Sequence, residues 1–282
     1  MSAAQSDQNA PFSTQLTLRG LEGTVPYFAG VPSGHADFNS NNGLAHGLSA
    51  GQFFDLDHVE VDKGPQGTLF GKNSIGGLID LEPKRPTNDF EGYGKVTLGN
   101  YNDREFEGAV NVPIVSDKLM VRIAAQDQQR DGYTHDVLNN KDYDDRDYTA
   151  WRVGITFRPT DDFENYFLYD GYWQHTNGTS TILTGVNPAF SLISRFNPFA
   201  ALAQQEALGP RQELGRTTPG LGKDYFYNFT DIATWDVTDD LTIKNIAGAR
   251  ITKVLATEDS DGTYLPLINV GDPVNPNGWL DN

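Results

Sequence analysis

The stretch that decides the fold covers residues 58–86 and reads HVEVDKGPQGTLFGKNSIGGLIDLEPKRP. The stretch begins with alternating apolar and polar residues. The pair Gly64-Pro65 then marks a turn, and a second apolar run begins at the pair Gly76-Gly77. Glycine permits positive φ angles and close approach of the backbone, which tight turns require. The stretch therefore predicts a strand, a Gly-Pro turn, one turn of helix and a second strand.

A phosphate-binding loop is excluded in the middle of this stretch. The Walker motif needs four residues between its glycines and a Ser or Thr after the Lys. Here three residues separate Gly67 from Gly71, and Asn73 follows Lys72. A net charge of -17 also argues against nucleic-acid binding, because phosphate neutralisation needs clustered Lys and Arg. The absence of Cys excludes disulfides, thiolate zinc sites and a cysteine nucleophile.

Beyond residue 88 the chain changes to long runs in which apolar and polar residues alternate. The clearest runs are 105–114, 119–128 and 148–158, and further candidates are 90–99, 163–175, 224–236 and 241–256. In the third run, Trp151, Val153, Ile155 and Phe157 oppose Arg152, Gly154, Thr156 and Arg158. Strict alternation over about ten residues predicts strands with one apolar and one polar face. Aromatic residues occur on both faces of 163–175, so its outward side stays open.

The connections between these runs alternate in length, except that the first link, 100–102, is short on the side where a long loop is expected. Short polar turns lie at 115–118, 159–162 and 237–240, and long links lie at about 130–147, 176–223 and 257 onward. Short turns at one end and long loops at the other are typical of an outer-membrane barrel. A soluble antiparallel sandwich, which also alternates, stays open as the other interpretation. Arg122 and Arg152 lie at mid-strand on the polar faces, as a wet lumen allows. If the polar face lines such a lumen, Arg152→Gln is expected to cost little and Val153→Arg to be expensive.

Residues 58–86 resemble, without gaps, the end of the plug domain of TonB-dependent outer-membrane receptors. Residues 18–20 and 25–31 resemble other plug segments more loosely, and 90–112 resembles the first barrel hairpin. The resemblance implies an all-β chain with a small α+β plug portion and a partial antiparallel transmembrane β-barrel, about seven of the family's 22 strands. Residues 1–88 would then be the C-terminal portion of the plug, and 89–282 the N-terminal portion of the barrel.

The resemblance also assigns roles to residues of the motif. The turn structure would depend on Gly64, Pro65, Gly67, Gly71, Gly76 and Gly77. Glu60, Lys63 and Lys72 are candidates for ion pairs between the plug and the barrel wall. The family usually has Arg where Lys63 and Lys72 stand, and Lys keeps the charge but loses the planar fork of donors.

The function that the resemblance implies is energised import of a large, scarce nutrient, most often a ferric siderophore. Uptake of a glycan or vitamin by the same family and a soluble β-rich binding module are the alternatives. We expect no enzyme activity, no cofactor apart from a transported iron chelate, and no nucleic-acid partner. The expected partners are outer-membrane lipid, a siderophore-like ligand and the TonB complex, gripped through an N-terminal box that this sequence lacks.

The expected location is the outer membrane of a Gram-negative cell. Residues 1–7 have neither a basic nor an apolar region, so we expect no signal peptide in this fragment. Two features of the long links stay open. The acidic run Asp142, Asp144, Asp145 and Asp147 fits either a Ca²⁺ site or a solvated loop. The link 176–223, with a helix-capable run at 200–208, fits either a ligand-capping loop or an unstructured excursion.

Overall fold

The structure is a computed structural model that consists mainly of two sheets. It describes residues 5–7, 14–17, 24–33, 47–48, 50–67, 76–188, 197–259, 261–265, 269–270 and 280–281. The first sheet, here called the plug sheet, contains β3 (Thr24–Phe28), β4 (Val31–Pro32), β6 (Leu56–Lys63) and β7 (Gly77–Pro83). A separate, three-stranded sheet contains β1 (Gln5–Asp7), β2 (Thr14–Thr17) and β5 (Gly47–Leu48).

The plug sheet has the strand order β4-β3-β7-β6. β6 and β7 pair antiparallel, so the strand, turn and second strand predicted for residues 58–86 are confirmed. β3 pairs parallel to β7, which places Phe28 beside Leu81 on one face and Tyr27 beside Asp80 on the other. The predicted helical turn falls outside the described residues apart from Gly67.

The second large sheet, here called the wall sheet, contains the seven long strands that the alternation predicted. They are β8 (Glu91–Gly99), β9 (Asp103–Val115), β10 (Leu119–Arg130), β13 (Arg146–Thr160), β14 (Phe163–Thr176), β16 (Leu221–Thr238) and β17 (Leu241–Asp259). Each pairs antiparallel with the next along the chain. β18 (Asn269–Val270) and β19 (Leu280–Asp281) pair with the end of β17. The wall sheet is a partial antiparallel β-barrel, as predicted.

The two faces of the wall sheet differ as the alternation predicted. The outer face, turned away from the plug, exposes large apolar side chains such as Ile123, Phe157 and Ile243, each about half exposed at 49%, 46% and 51%. The inner face buries polar residues, among them Arg122 and Arg152. A soluble sandwich would hide the apolar face in a core, so this exposure contradicts that interpretation.

Connections at the two ends of the wall sheet differ in length, apart from the short turn 100–102 between β8 and β9. Residues 116–118, 161–162 and 239–240 form short turns at one end, called here the turn end. Longer segments at the other end, the loop end, carry β11 (Thr134–Asp136), β12 (Lys141–Tyr143), β15 (Gln212–Glu213) and α1 (Pro198–Glu206). The helix begins two residues before the predicted run because the Asn197 side chain accepts a hydrogen bond from the backbone N–H of Ala200, and Pro198 occupies the first turn.

Plug and wall sheets are joined by residues 84–90. The predicted division of the chain at residues 88 and 89 lies inside this link and stays a prediction.

Candidate functional site: the junction of plug and wall

A sharp bend in the plug, residues 53–55, carries a carboxylate that the wall holds. Asp55 has a φ of 47°, in a region that non-glycine residues seldom adopt. Arg122 on β10 donates from Nε to its Oδ2 at 2.8 Å and from Nη2 to its Oδ1 at 2.5 Å. The two side chains are only 3% and 2% exposed. This paired, water-excluded geometry is the strong form of a guanidinium–carboxylate contact.

A second guanidinium, that of Arg152 on β13, holds the backbone of the same bend. Its Nη1 donates to the carbonyl oxygens of Phe54 at 2.7 Å and of Asp55 at 3.2 Å. The guanidinium carbon also lies 4.7 Å from the ring centroids of both Phe28 and Phe54, within range of cation–π attraction. The expectation that Arg152→Gln costs little assumed that Arg152 faces a wet lumen, and this assumption was wrong. Arg152 is buried against the plug rather than facing open water.

The bend is also tied to the link between the two sheets. The backbone N–H of Lys84 donates to the carbonyl of Asp55 at 3.0 Å. The Lys84 ammonium lies 3.1 Å from Glu91, and the same Glu91 carboxylate lies 3.5 Å from Arg122. Four charged residues therefore connect the plug bend, the link, the first wall strand and β10. The buried pair of Asp55 and Arg122 is the centre of this network. Lys84 and Glu91, which are 38% and 40% exposed, contribute less because water screens their charges.

Apolar packing surrounds these polar contacts on both sides. Toward the turn end, Phe28, Ala29, Ile79 and Leu81 of the plug pack with Tyr166, Leu168 and Ile232 of the wall. Toward the loop end, Phe54 packs with Ala124, Tyr148, Ala150, Tyr172 and Phe226. Gly51 permits the closest approach, because a Cβ there would lie 2.4 Å from Cδ2 of Tyr172. Plug side chains therefore cover the inner face of the wall at these two clusters.

The glycines that the motif singled out lie at the turn between β6 and β7. Gly64 and Gly77 have φ values of 95° and 137°, which favour glycine, and the Gly64 N–H faces the Gly76 carbonyl at 3.4 Å. Pro65 and Gly67 follow in the described part of the turn. Gly71 lies outside the described residues. The structural role proposed for the set stays a prediction.

The candidates for plug–wall ion pairing lie elsewhere than the observed network. Glu60 and Lys63 are exposed on β6, and within the described residues neither forms an ion pair. Lys72 lies outside those residues. The observed pairs place the carboxylate of Asp55 on the plug and the guanidinium on the wall. Arg85 of the link, at 3.5 Å from Glu164, has the opposite arrangement but is partly exposed.

Sequence reasoning noticed Arg122 and Arg152 as polar residues at mid-strand but missed their partner. Asp55 lies in the run Phe53-Phe54-Asp55-Leu56, with large apolar residues on both sides of its carboxylate. Since carboxylates are almost never fully buried unless paired, this position could have indicated a buried ion pair.

A second buried carboxylate lies on the other face of the plug sheet. Burial raises the pKa of Asp80 to about 6, and the neighbouring Glu82 carboxylate adds to the rise. Its Oδ1 has no hydrogen-bond partner in the part of the chain that the structure describes. The charge therefore costs free energy when Asp80 is ionised.

The segments at the loop end form a connected layer. Arg216 pairs with Glu213 at 2.7 Å, and its guanidinium lies 3.7 Å from the ring centroid of Tyr143. It also donates to the carbonyl of Thr179 at 3.2 Å. Burial raises the pKa of Glu213. The link 176–223 is therefore fixed to β12 where it is described, rather than being an unstructured excursion there.

The acidic run at the loop end is used for internal contacts. Asp144 accepts hydrogen bonds from Thr134 and Ser180, and Asp145 accepts one from the backbone N–H of Asn177. Among the residues that the structure describes, no group of three or more His, Asp or Glu is arranged to hold a metal ion. The Ca²⁺ interpretation therefore gains no support from the geometry.

Comparison with known proteins finds a family model that matches the N-terminal part of the chain. Residues 1–78 match the model of the TonB-dependent Receptor Plug Domain. The match identifies this part of the chain as a plug domain of the TonB-dependent receptor kind. The described residues contain no helix with the length and hydropathy that a membrane span requires.

Curated relatives and solved structures agree with this family. The chain is 27% identical over 196 residues to the catecholate siderophore receptor Fiu of Escherichia coli K12, covering 68% of this chain and 24% of Fiu. It is 28% identical over 114 residues to the ferripyoverdine receptor of Pseudomonas aeruginosa, covering 40% of this chain and 13% of that receptor. The chain thus spans about a quarter or less of the length of these relatives.

Among solved structures, the ferric yersiniabactin uptake receptor FyuA from Yersinia pestis superposes with a TM-score of 0.70 at 18% identity. That match covers 92% of this chain and 38% of FyuA. The closed form of Fiu from E. coli K12 superposes with a TM-score of 0.66 at 19% identity, covering 91% of this chain and 33% of Fiu. These similarities show the fold, a plug beside a partial barrel wall.

Proposed function

We propose that this chain forms the plug and first wall strands of an outer-membrane receptor that imports a ferric siderophore. The observation that carries the proposal is the plug bend at Asp55, locked to the inner face of a wall whose outer face is apolar. A plug held in this way closes the lumen of a barrel that crosses the lipid. The chain would break no bond in its cargo.

The choice of cargo is supported by the relatives. The names of Fiu, FyuA and the ferripyoverdine receptor each specify a ferric siderophore. These three siderophores differ in chemistry, so the family alone leaves the ligand class broad. We propose that the cargo is an iron chelate too large for passive diffusion, and that the TonB complex supplies the energy for its passage.

Uptake by cells tests this proposal. A strain without the receptor gene is compared with the same strain carrying the wild-type gene or an Asp55→Lys variant, which would place a third cation beside Arg122 and Arg152. Radioactive iron is supplied on a catecholate, a pyoverdine and yersiniabactin, and cobalamin and a maltodextrin serve as non-iron probes. We expect receptor-dependent uptake of at least one iron chelate, and changed uptake or receptor level with the variant.

Two outcomes contradict the proposal. Receptor-dependent uptake of cobalamin or maltodextrin, with no iron chelate dependent on the gene, would assign the receptor to vitamin or glycan import. Recovery of the protein in the soluble fraction of the cell, with no effect on any probe, would contradict an outer-membrane role altogether.

A further inference from the structure

In one part of the outer face of the wall sheet, small and polar side chains interrupt the large apolar ones. Asp231 on β16 lies on this face, in register with Phe167 of β14 and Ala247 of β17. The adjacent row of the ladder holds Asn165, Ala233 and Asn245. This surface, here called the polar patch, consists of Asn165, Asp231, Ala233, Asn245, Ala247 and Ala249. These small and polar residues adjoin Phe167 and Phe229, and they differ from the unbroken run Val153, Ile155 and Phe157 on the outer face of β13.

The polar patch lies at mid-height rather than at an interface with water. On the outer face of β16, Tyr227 lies four residues toward the loop end from Asp231, and Trp235 lies four residues toward the turn end. At a rise of about 3.3 Å per residue, Asp231 is about 13 Å along the strand from each aromatic. Aromatic residues of barrels gather at the two interfaces. A carboxylate between them would lie in hydrocarbon if lipid covered the patch.

The hydrogen bonds of the patch are incomplete within one copy of the chain. The Asn165 amide donates from Nδ2 to Oδ1 of Asp231 at 2.9 Å. Among the described residues, Oδ2 of Asp231 and the side-chain amide of Asn245 have no partner. An acceptor and a donor are thus left over on the same surface. Such groups are expensive in lipid, and ionisable residues there usually pair with another protein group.

We propose that the polar patch is an interface between two copies of this chain in the membrane. An interface with two-fold symmetry brings the same surface of both copies together. The unused amide of Asn245 in one copy would then donate to the unused oxygen of Asp231 in the other, and the reverse. Ala233, Ala247 and Ala249 let two backbones approach closely, as small residues do where membrane proteins associate. The patch contains both halves of this contact, which favours a second copy over an unrelated partner.

Thiol cross-linking of the receptor in outer-membrane vesicles tests this inference. The chain has no Cys, so an introduced Cys is its only thiol. Ala247→Cys or Ala249→Cys would lie near the two-fold axis, and Val153→Cys on the same face of β13 is the matched control. After mild oxidation we expect at least fivefold more disulfide-linked dimer from a patch variant than from the control. Adding Asp231→Leu to the patch variant should remove most of that excess.

The inference rests on the proposed membrane location. A fluorescent label tests that location separately from the interface. A polarity-sensitive fluorophore on Val153→Cys reports hydrocarbon if the wall crosses the membrane. Fluorescence typical of water would overturn both proposals. Fluorescence typical of hydrocarbon would overturn the second-copy interface alone if the patch variants gave no dimer, as much dimer as the control, or a cross-link to a different protein.

Discussion

Removing the guanidinium of Arg122 should release the plug bend from the wall. In an Arg122→Met variant, the Asp55 carboxylate would stay buried without its two charge-assisted hydrogen bonds. Breaking a buried ion pair by deleting one member costs about 3–5 kcal/mol. The cost should be near this range because both side chains are almost fully buried. Since each 1.4 kcal/mol is tenfold, local opening of the bend should rise by about 10²- to 10⁴-fold.

Hydrogen–deuterium exchange measures this opening directly. The Lys84 amide donates to the carbonyl of Asp55, so it reports whether the bend is docked. Its peptide should exchange faster in Arg122→Met by the factor given above. The matched control is Arg158→Met, which removes a partly exposed partner of Glu164 and should change exchange by less than about fivefold.

A double variant separates the ion pair from packing. Asp55→Asn combined with Arg122→Met removes both charges, so the stranded carboxylate disappears and exchange should return most of the way to the wild-type rate. The interpretation is wrong if Arg122→Met changes Lys84 exchange by less than threefold. It is also wrong if the double variant opens as readily as the single variant.

Three further predictions concern the wall face, the close approach and the pH response of the plug. Val153→Arg should reduce the stability of the membrane-embedded receptor by about 2–4 kcal/mol in denaturant titrations, and a neutral result would contradict the assignment of the outer face. Gly51→Ala should cost about 1–3 kcal/mol because its Cβ would overlap Tyr172, whereas Gly94→Ala, which has open space, should cost less than 1 kcal/mol on the same titration. The folded pKa of Asp80, about 6, exceeds its ordinary value of 3.8, so the folded plug binds more protons between these values and becomes less stable as pH rises from 4 to 6. Protection factors of plug amides, which are corrected for the intrinsic rise of exchange with pH, should fall across that range in the wild type and stay nearly level in Asp80→Asn; parallel pH profiles of protection would contradict this.

Local patterns in the sequence predicted the wall sheet well. Alternation in 148–158 identified β13 and its two faces, because a strand places successive side chains on opposite sides whatever its neighbours are. The run 163–175 could not be oriented in this way, since aromatics occupy both faces. The structure places Tyr166 and Tyr172 against the plug and Tyr169 on the outer face, stacked 4.8 Å from Phe229.

The junction of plug and wall could be predicted only in part. Arg122 and Arg152 were visible as polar residues at mid-strand, but their contacts with Asp55 join positions 67 and 97 residues apart. Such contacts depend on how the plug sheet is placed against the wall, and no local period encodes that placement. The resemblance directed attention to Glu60 and Lys63 instead, because it transfers motif positions and not the contacts of this chain.

The most direct test of the account examines which face of β13 touches hydrocarbon. Single Cys substitutions at successive positions 151–157, labelled with an environment-sensitive fluorophore in outer-membrane vesicles, should alternate. Trp151, Val153, Ile155 and Phe157 should report hydrocarbon, and the positions between them should report burial against the plug with slow labelling. Uniform labelling along the strand, or hydrocarbon contact at the even positions, would contradict a plugged wall that crosses the membrane.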